Sequence, residues 1–317
     1  MPTYPTLLDM AKRNGRDRAV PLISETSKWI PEISGKNWDG STLPGVGSVR
    51  TIKGINYKTL VRTGNPTVGF RDGNTGANIS AGTYENRLVE TFIFNPRWEV
   101  DKAVADRSED GPDAYIADEA MGIMEASMQL LGSQFFYGRL IDGKGFPGLV
   151  DAIQAEFTVD ATGTGNTCGS VWAVKFGVAD VQWIYGENGA LAIPDKTVET
   201  VYRADPGTTT PLKPMKAYVQ DLLAYPGVQV GSTRSIGRIK NIKDEANKRL
   251  TDALLYQLLT KMKVRPDVLF MPKTVLEQLR ASRTTFSPTG LPAPTPNSFE
   301  GIPIAPTESL TMTETAS

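Results

Sequence analysis

The residue types that could do chemistry are few in this chain and form no recognisable set. There are no histidines, so the commonest general base and the commonest metal ligand are both missing. Cys168 is the only cysteine, which excludes an intramolecular disulfide and a thiolate metal cluster, and a catalytic thiolate there would lack a histidine partner. A glycosidase-type carboxylate pair stays open in principle, although nothing in the sequence brings two carboxylates together.

Two glycine-rich strings match ligand-binding loops only in part. Residues 138–144, Gly-Arg-Leu-Ile-Asp-Gly-Lys, are similar to the start of a phosphate-binding loop. Gly145 stands where a Ser or Thr should bind magnesium, however, and a predicted helix precedes the string where a strand is required. Residues 163–169 lack the dinucleotide-binding spacing, so a flexible turn is the better interpretation. The sequence therefore predicts no catalytic, cofactor-binding or metal site, and a protein that is not an enzyme.

Length and charge limit the function classes further. A chain of 317 residues, 40% of them apolar, can bury the cores of about two domains. Its 34 basic and 35 acidic side chains nearly cancel, so no overall field draws it to nucleic acid or to a membrane. No apolar run reaches the roughly 18 residues of a membrane span, and the N-terminus has no signal-peptide core. We expect a soluble product in the cytoplasm.

The most informative pattern is a long β-hairpin that has little of its own to bury. Residues 49–63 and 83–94 are rich in β-branched and aromatic residues, and the Gly-rich segment 64–82 between them is built from turn formers. A strand of about 14 residues would reach roughly 45 Å. Because an isolated two-stranded ribbon is marginally stable in water, we expect a neighbouring subunit to cover this hairpin.

Charged side chains of both signs line the hairpin, and two explanations stay open. One is a solvated edge that is protected from aggregation. The other is that the charges set the register against neighbouring subunits by complementary pairing, while backbone and apolar contacts provide the affinity. The predicted intersubunit contacts are these charged residues and one aromatic residue of the tip: Lys53, Lys58, Arg62, Phe70, Arg71, Asp72, Glu85, Arg87 and Glu90.

One long helix is predicted after the hairpin. Residues 108–113 supply capping groups and early negative charge, and Gly138 is the predicted stop after Tyr137. About 26 residues at 1.5 Å each span roughly 40 Å, enough for the spine of a domain. Apolar positions recur at spacings of three and four, which predicts one buried stripe: Ala117, Met121, Met124, Met128, Leu131 and Phe135.

The other segments are shorter. Residues 1–48 are predicted to form an extended arm with a short helix at 7–12, and residues 145–240 are rich in predicted strands. Further predicted elements are a helix that opens at Asp244–Asn247, a helix at 275–282, strands at 266–272 and 301–304, and loops at 205–214 and 286–297. A polar, mildly acidic tail ends the sequence.

This order of elements resembles the major capsid proteins of tailed bacteriophages, with the Hong Kong 97-like fold that encapsulin shells also use. Several local strings are similar to one phage capsid subgroup, and together they extend over most of the chain. They are Thr6–Asn14, Gly54–Arg71, Gln134–Gly138 leading to Gly145–Leu149, and Cys168–Gly177 followed by Val181–Gly186.

The resemblance implies an α+β fold with five segments. They are an N-terminal arm (1–48), an extended hairpin loop (49–98), a peripheral domain (99–144, with the spine helix at 108–140), an axial domain with strands that return to the peripheral domain (145–300), and a C-terminal strand and tail (301–317). The implied function is a major capsid protein whose copies form pentamers and hexamers of an icosahedral shell around double-stranded DNA. An encapsulin-type cargo shell and another virion subunit, such as a tail-tube protein, are the alternatives.

The resemblance also implies partners. They are other copies of the chain, a portal and a separate scaffolding protein. The scaffolding protein is expected because the sequence begins almost at the arm; the alternative is that a scaffolding prodomain was never encoded. Packaged DNA would be met by generic electrostatic contact and not by base readout, and no membrane is involved. The expected location is the virion capsid, assembled in the host cytoplasm.

Overall fold

The computed structural model describes residues 5–14, 22–187, 189, 191–204, 210–285 and 291–316. The helices are α1 (Leu7–Arg13), α2 (Pro31–Ser34), α3 (Lys102–Ala105), α4 (Pro112–Tyr137), α5 (Leu149–Ala152), α6 (Asp252–Lys261) and α7 (Lys273–Thr285). The strands are β1 (Val49–Ile52), β2 (Asn56–Gly64), β3 (Thr83–Glu90), β4 (Arg97–Asp101), β5 (Thr158–Asp160), β6 (Gly169–Val174), β7 (Val181–Gly186), β8 (Thr197–Arg203), β9 (Lys213–Asp221), β10 (Pro226–Val230), β11 (Ile236–Ile242), β12 (Val268–Met271), β13 (Ser298–Phe299) and β14 (Ile302–Pro306).

The described residues divide into two compact units. The first unit takes its residues from segments 1–28, 93–131 and 188–225, and the second from segments 29–92, 132–187 and 226–317. Parts of the predicted loops at 205–214 and 286–297 lie outside the described residues. Residues 291–297 have no regular structure, as predicted, whereas Lys213 and Pro214 already belong to β9.

The first unit contains a three-stranded antiparallel sheet in the order β4–β9–β8. The long central strand β9 pairs with both neighbours, so that Gln220 lies opposite Trp98 of β4. Alternate residues of β4 are buried, as expected for a strand with one face on a core. Trp98 and Val100 pack in one apolar cluster with Met10 of α1 and Tyr115 of α4.

The second unit is built on a six-stranded mixed sheet in the order β13–β14–β12–β6–β11–β5. Every residue of β6 and of β12 is buried, which is typical of central strands covered on both faces. The core on the helix-bearing side includes Leu255 and Leu258 of α6 and Leu279 of α7. Two smaller sheets belong to the same unit: β1–β7–β10, in which β1 runs parallel to β7, and the hairpin β2–β3.

Helix α4 confirms the predicted length of about 26 residues and the stop after Tyr137, but the bounds 108–140 are too wide, because the helix begins at Pro112. Of the predicted stripe, only Leu131 and Phe135 are buried. The chain leaves the helix at Gly138, whose φ of 53° favours glycine, and a Cβ there would lie 2.0 Å from the carboxylate of Asp151. The predicted stripe is wrong in its first turns, because Met121 is 62% exposed. In these turns the buried stripe runs through Ile116 and Ala120, each one residue before a predicted position. The predicted and the observed stripe meet at residues 131 and 135, which are both buried.

Two other predicted boundaries are wrong. The single strand predicted at 49–63 is two strands, β1 and β2, which a bend at residues 53–55 separates and which belong to different sheets. The helix predicted to open at Asp244–Asn247 begins only at Asp252, where the Thr251 side chain caps the Leu254 amide. Asn247 has a φ of 65°, which an α-helix does not allow.

The C-terminal tail is tied firmly into the second unit, which its polar composition did not predict. The carboxylate of Glu314 accepts hydrogen bonds from Arg238 at 2.8 Å and from the Tyr137 hydroxyl at 2.7 Å. Its backbone pairs with Cys168 in both directions, at 2.9 and 3.1 Å. The tail therefore joins β6, β11 and the end of α4.

Candidate intersubunit contact surface

The hairpin is an antiparallel ribbon whose base is fixed to the second unit. β2 and β3 pair from Asn56 opposite Glu90 to Arg62 opposite Tyr84, with an irregularity before Gly64. Below the paired region, the amide of Phe92 donates to the carbonyl of Pro226, at the start of β10, at 3.0 Å. Beyond its base the ribbon forms no ladder with any other strand of the described residues.

One side of the ribbon, which we call the anchored face, is held by β10 and the residue after it. It carries Tyr57, Thr59, Val61, Glu85, Arg87 and Val89, which cross-strand pairing places together. The Tyr57 hydroxyl donates to the side chain of Gln229, and the Arg87 guanidinium donates to the carbonyl of Gly231 at 3.3 Å. Burial raises the pKa of Tyr57, and the Arg50 guanidinium stacks over its ring at 4.5 Å.

The opposite side, which we call the open face, has no such partners. It carries Lys58, Leu60, Arg62, Tyr84, Asn86 and Leu88. Leu60 is 68% exposed, Tyr84 54% and Leu88 52%, and Leu60 lies diagonally between the other two. The Arg62 guanidinium lies 5.4 Å from the centre of the Tyr84 ring. The open face is therefore an apolar patch flanked by two cations, and solvent covers it in the single chain.

The tip, residues 65–82, contains no helix or strand. Its large apolar side chains are almost completely exposed, at 87% for Val68 and 98% for Ile79, while Phe70 is fully exposed. The order that the tip has comes from short-range hydrogen bonds, such as the one at 2.6 Å from the Arg71 guanidinium to the Thr75 carbonyl. The tip thus presents apolar side chains that its own chain does not bury.

The residues predicted as intersubunit contacts are spread over these regions. Lys53 lies in the bend before β2, Lys58 and Arg62 on the open face, Phe70, Arg71 and Asp72 in the tip, Glu85 and Arg87 on the anchored face, and Glu90 at the base. None of the charged ones forms an ion pair with any described residue, although ion pairs are frequent elsewhere in both units. Sequence reasoning missed the exposed apolar residues Leu60, Val68, Ile79, Tyr84 and Leu88, which strict alternation along β2 could have revealed in part.

Other groups with possible chemistry are engaged within the fold. In the string similar to a phosphate-binding loop, residues 138–144, the amide of Arg139 donates to the Asp151 carboxylate at 3.3 Å. The amide of Gly148, which follows the string, donates to the same carboxylate at 2.9 Å. An open cavity of about 670 Å³ lies beside Lys243 and Glu245. There Glu245 pairs with Lys243 and Lys248, and hydrogen bonds from these ammonium groups lower its pKa to about 2.

Across the described ranges, the side chains of Cys, Asp and Glu form no cluster that could hold a metal ion. The helices within the described ranges are also too short or too polar to cross a membrane.

Comparison with known proteins finds a matching family model and similar solved structures. The model of the family described as "Major capsid protein GP7" matches residues 48–317. A structure from bacteriophage Epsilon15 superposes with a TM-score of 0.73 at 19% identity, covering 99% of this chain and 98% of that one. The capsid of bacteriophage JBD30 (TM-score 0.45, 14% identity, 83% and 88% covered) and the SrpI encapsulin of Synechococcus elongatus (0.40, 11%, 72% and 96%) are more distant. No curated protein sequence matches.

Proposed function

Because this chain belongs to the major capsid protein GP7 family and is a tailed-phage capsid protein with the Hong Kong 97-like fold, we propose that its hairpin joins neighbouring copies of the chain as the shell forms. The hairpin reaches over an adjacent copy, and the apolar side chains of its tip and open face are covered there. Copies joined in this way close into pentamers and hexamers through heterologous contacts.

The observation that carries the proposal is the apolar surface of the hairpin. Fully burying one Val, Ile or Phe side chain contributes about 1.5–3 kcal/mol. Covering Val68, Phe70 and Ile79 therefore contributes on the order of 5–9 kcal/mol per hairpin, before the entropy of association is subtracted. Weak contacts of this size, repeated at every subunit, suit a shell that must assemble without trapping errors.

The two units suggest how the family's domains map onto the chain. We assign α4 and the sheet β4–β9–β8 to the peripheral domain, with β8 and β9 as the strands that return to it. The six-stranded sheet with α6 and α7 is assigned to the axial domain. The residues before β1 form the N-terminal arm, and those after β13 form the C-terminal strand and tail.

The proposal extends to partners and place of assembly. Subunits assemble in the host cytoplasm with a portal and a separate scaffolding protein. Contact with packaged DNA is generic and weak, because the net charge of the whole chain is only −1. Retention of naked DNA by purified subunits at physiological salt would contradict this part of the proposal.

A deletion tests the role of the hairpin. Replacing residues 64–82 by an Asn-Gly turn keeps the paired strands and removes the tip. We expect soluble subunits with unchanged circular dichroism that form no shells in sedimentation velocity or negative-stain images. Shells of normal size from this variant would refute the proposal.

A second pair of variants separates apolar contact from loop length. Serine at Val68, Phe70 and Ile79 should abolish assembly, because these side chains supply the apolar contact. Serine at three exposed neighbours, Asn65, Thr67 and Ala77, should leave the shell yield within about twofold. Equal yields from the two triple variants would remove the apolar side chains from the mechanism.

A further inference from the structure

We propose that the hairpin meets the adjacent copy with one defined side, the open face, while its anchored face stays on its own subunit. The inference rests on the proposed function, since it requires that the hairpin be an intersubunit contact. It adds the chemistry of the contact: an apolar centre formed by Leu60, Tyr84 and Leu88, with Lys58 and Arg62 beside it, docked on a carboxylate-bearing surface of a second copy.

The contacts of the two faces support this assignment. The anchored face already has partners within its own unit, because Tyr57 bonds to Gln229 and Arg87 bonds to the Gly231 carbonyl. Val89 on the same face is buried at 6% exposure. These contacts fix which side of the ribbon turns toward its own subunit. The open face consequently turns away from it and offers the larger exposed apolar area.

Charge indicates that the occupant is a second copy of this chain. Segment 49–92, the hairpin with its base, contains six basic and three acidic residues, a net charge of +3. Since the whole chain carries −1, all remaining residues together carry −4. The hairpin of one copy is therefore complementary in charge to the rest of another. Lys58 and Arg62 also form no ion pair with any described residue, so both remain available for carboxylates of that copy.

Thiol labelling reads out each face separately, because the only native cysteine, Cys168, is completely buried. Single cysteines are introduced at Leu60 on the open face, at Glu85 on the anchored face and at Phe70 in the tip, all exposed in the single chain. Maleimide labelling rates are then compared between free subunits and assembled shells. We expect Leu60→Cys to be protected at least tenfold in shells and Glu85→Cys to label within about twofold of its rate in free subunits.

The pattern of protection distinguishes the two levels of the proposal. If neither Phe70→Cys nor Leu60→Cys is protected in shells, the proposed function itself fails. If Phe70→Cys is protected but Glu85→Cys is protected as well as or better than Leu60→Cys, the hairpin is an intersubunit contact and the face assignment is overturned. Protection of Leu60→Cys with free labelling of Glu85→Cys supports both.

A charge-reversal pair covers the case in which a cysteine variant does not assemble. Arg62→Glu and Glu85→Arg each reverse one charge at adjacent cross-strand positions on opposite faces. We expect Arg62→Glu to lower the shell yield at least tenfold and Glu85→Arg to change it less than twofold, with equal thermal melting of both free subunits. The reverse order of effects, or equal effects, would overturn the assignment of the open face.

Discussion

The buried carboxyl group of Glu32 should make the second unit lose stability as the pH rises. Glu32 has no solvent exposure, the Thr307 hydroxyl donates to one of its oxygens at 2.9 Å, and its other oxygen has no hydrogen-bond partner among the described residues. Gly132 of α4 packs so closely that a Cβ there would lie 2.6 Å from this second oxygen. Desolvation raises the pKa of Glu32 from 4.5 to about 7, against the hydrogen bond from the Thr307 hydroxyl.

The sign and size of the effect follow from linkage between proton binding and folding. The folded state holds the Glu32 proton more tightly than the unfolded chain, so the stabilisation is fully present below a pH of about 4.5 and is lost as the pH rises through about 7. The difference between the two pKa values corresponds to about 3 kcal/mol. Glutamine keeps the acceptor for Thr307 and cannot ionise. The unfolding free energy of Glu32→Gln, minus that of the wild type, should therefore increase by about 3 kcal/mol between pH 4.5 and pH 8.

Urea unfolding of free subunits at pH 4.5, 6 and 8, followed by tryptophan fluorescence, measures this difference. Taking the difference between variant and wild type removes the titration of all other carboxylates. Glu85→Gln is the matched control, because it makes the same substitution at a carboxyl group that is exposed on the hairpin and not buried in the core. A pH-independent difference for Glu32→Gln would refute the buried, desolvated carboxyl.

Three further experiments test packing that the structure shows. Glu314→Ala should cost about 3–5 kcal/mol in urea unfolding, because it leaves the mostly buried guanidinium of Arg238 without its carboxylate; a cost under about 1 kcal/mol would contradict the tail's role. Gly138→Ala should prevent folding or cost more than about 3 kcal/mol, whereas Gly122→Ala inside α4, where a Cβ meets open space, should stabilise by about 0.5–1 kcal/mol; similar melting temperatures for the two variants would refute the close approach at Gly138. Tyr57→Phe should leave the melting temperature of the body nearly unchanged but speed hydrogen exchange in β2, and unchanged exchange there would argue against the anchored face.

Local signals in the sequence were sufficient to predict elements whose ends are marked by proline, glycine or capping residues. Pro112 and Gly138 bound a helix whose ends the capping chemistry specifies, so α4 could be predicted from residues next to each other in the chain. The stripe could not be chosen, because Ile116 and Ala120 form a second apolar stripe beside the one through Met121. Spacing permits both, and only tertiary packing decides which is buried.

The contacts that anchor the hairpin could not be predicted, because they join distant parts of the chain. Tyr57 and Gln229 are 172 residues apart, and Arg87 and Gly231 are 144 apart. The alternation of a β-strand places Leu60 on the same face as Lys58 and Arg62. It does not say whether this face or the opposite one turns toward the subunit. The break between β1 and β2 at residues 53–55 could not be predicted for the same reason. β1 pairs with β7, which is distant in the sequence, and local propensity does not reveal this pairing.

The difference between the two faces explains why a marginal ribbon can carry an intersubunit contact. A two-stranded ribbon alone would lose much of its binding energy in becoming ordered on the neighbour. Here part of that ordering is completed before assembly, because the contacts of the anchored face fix the base of the ribbon in the free subunit. The apolar side chains of the open face are then held in place, so more of their burial is available for association. In the proposed arrangement, loosening the anchored face should weaken assembly although none of its residues touches the second copy.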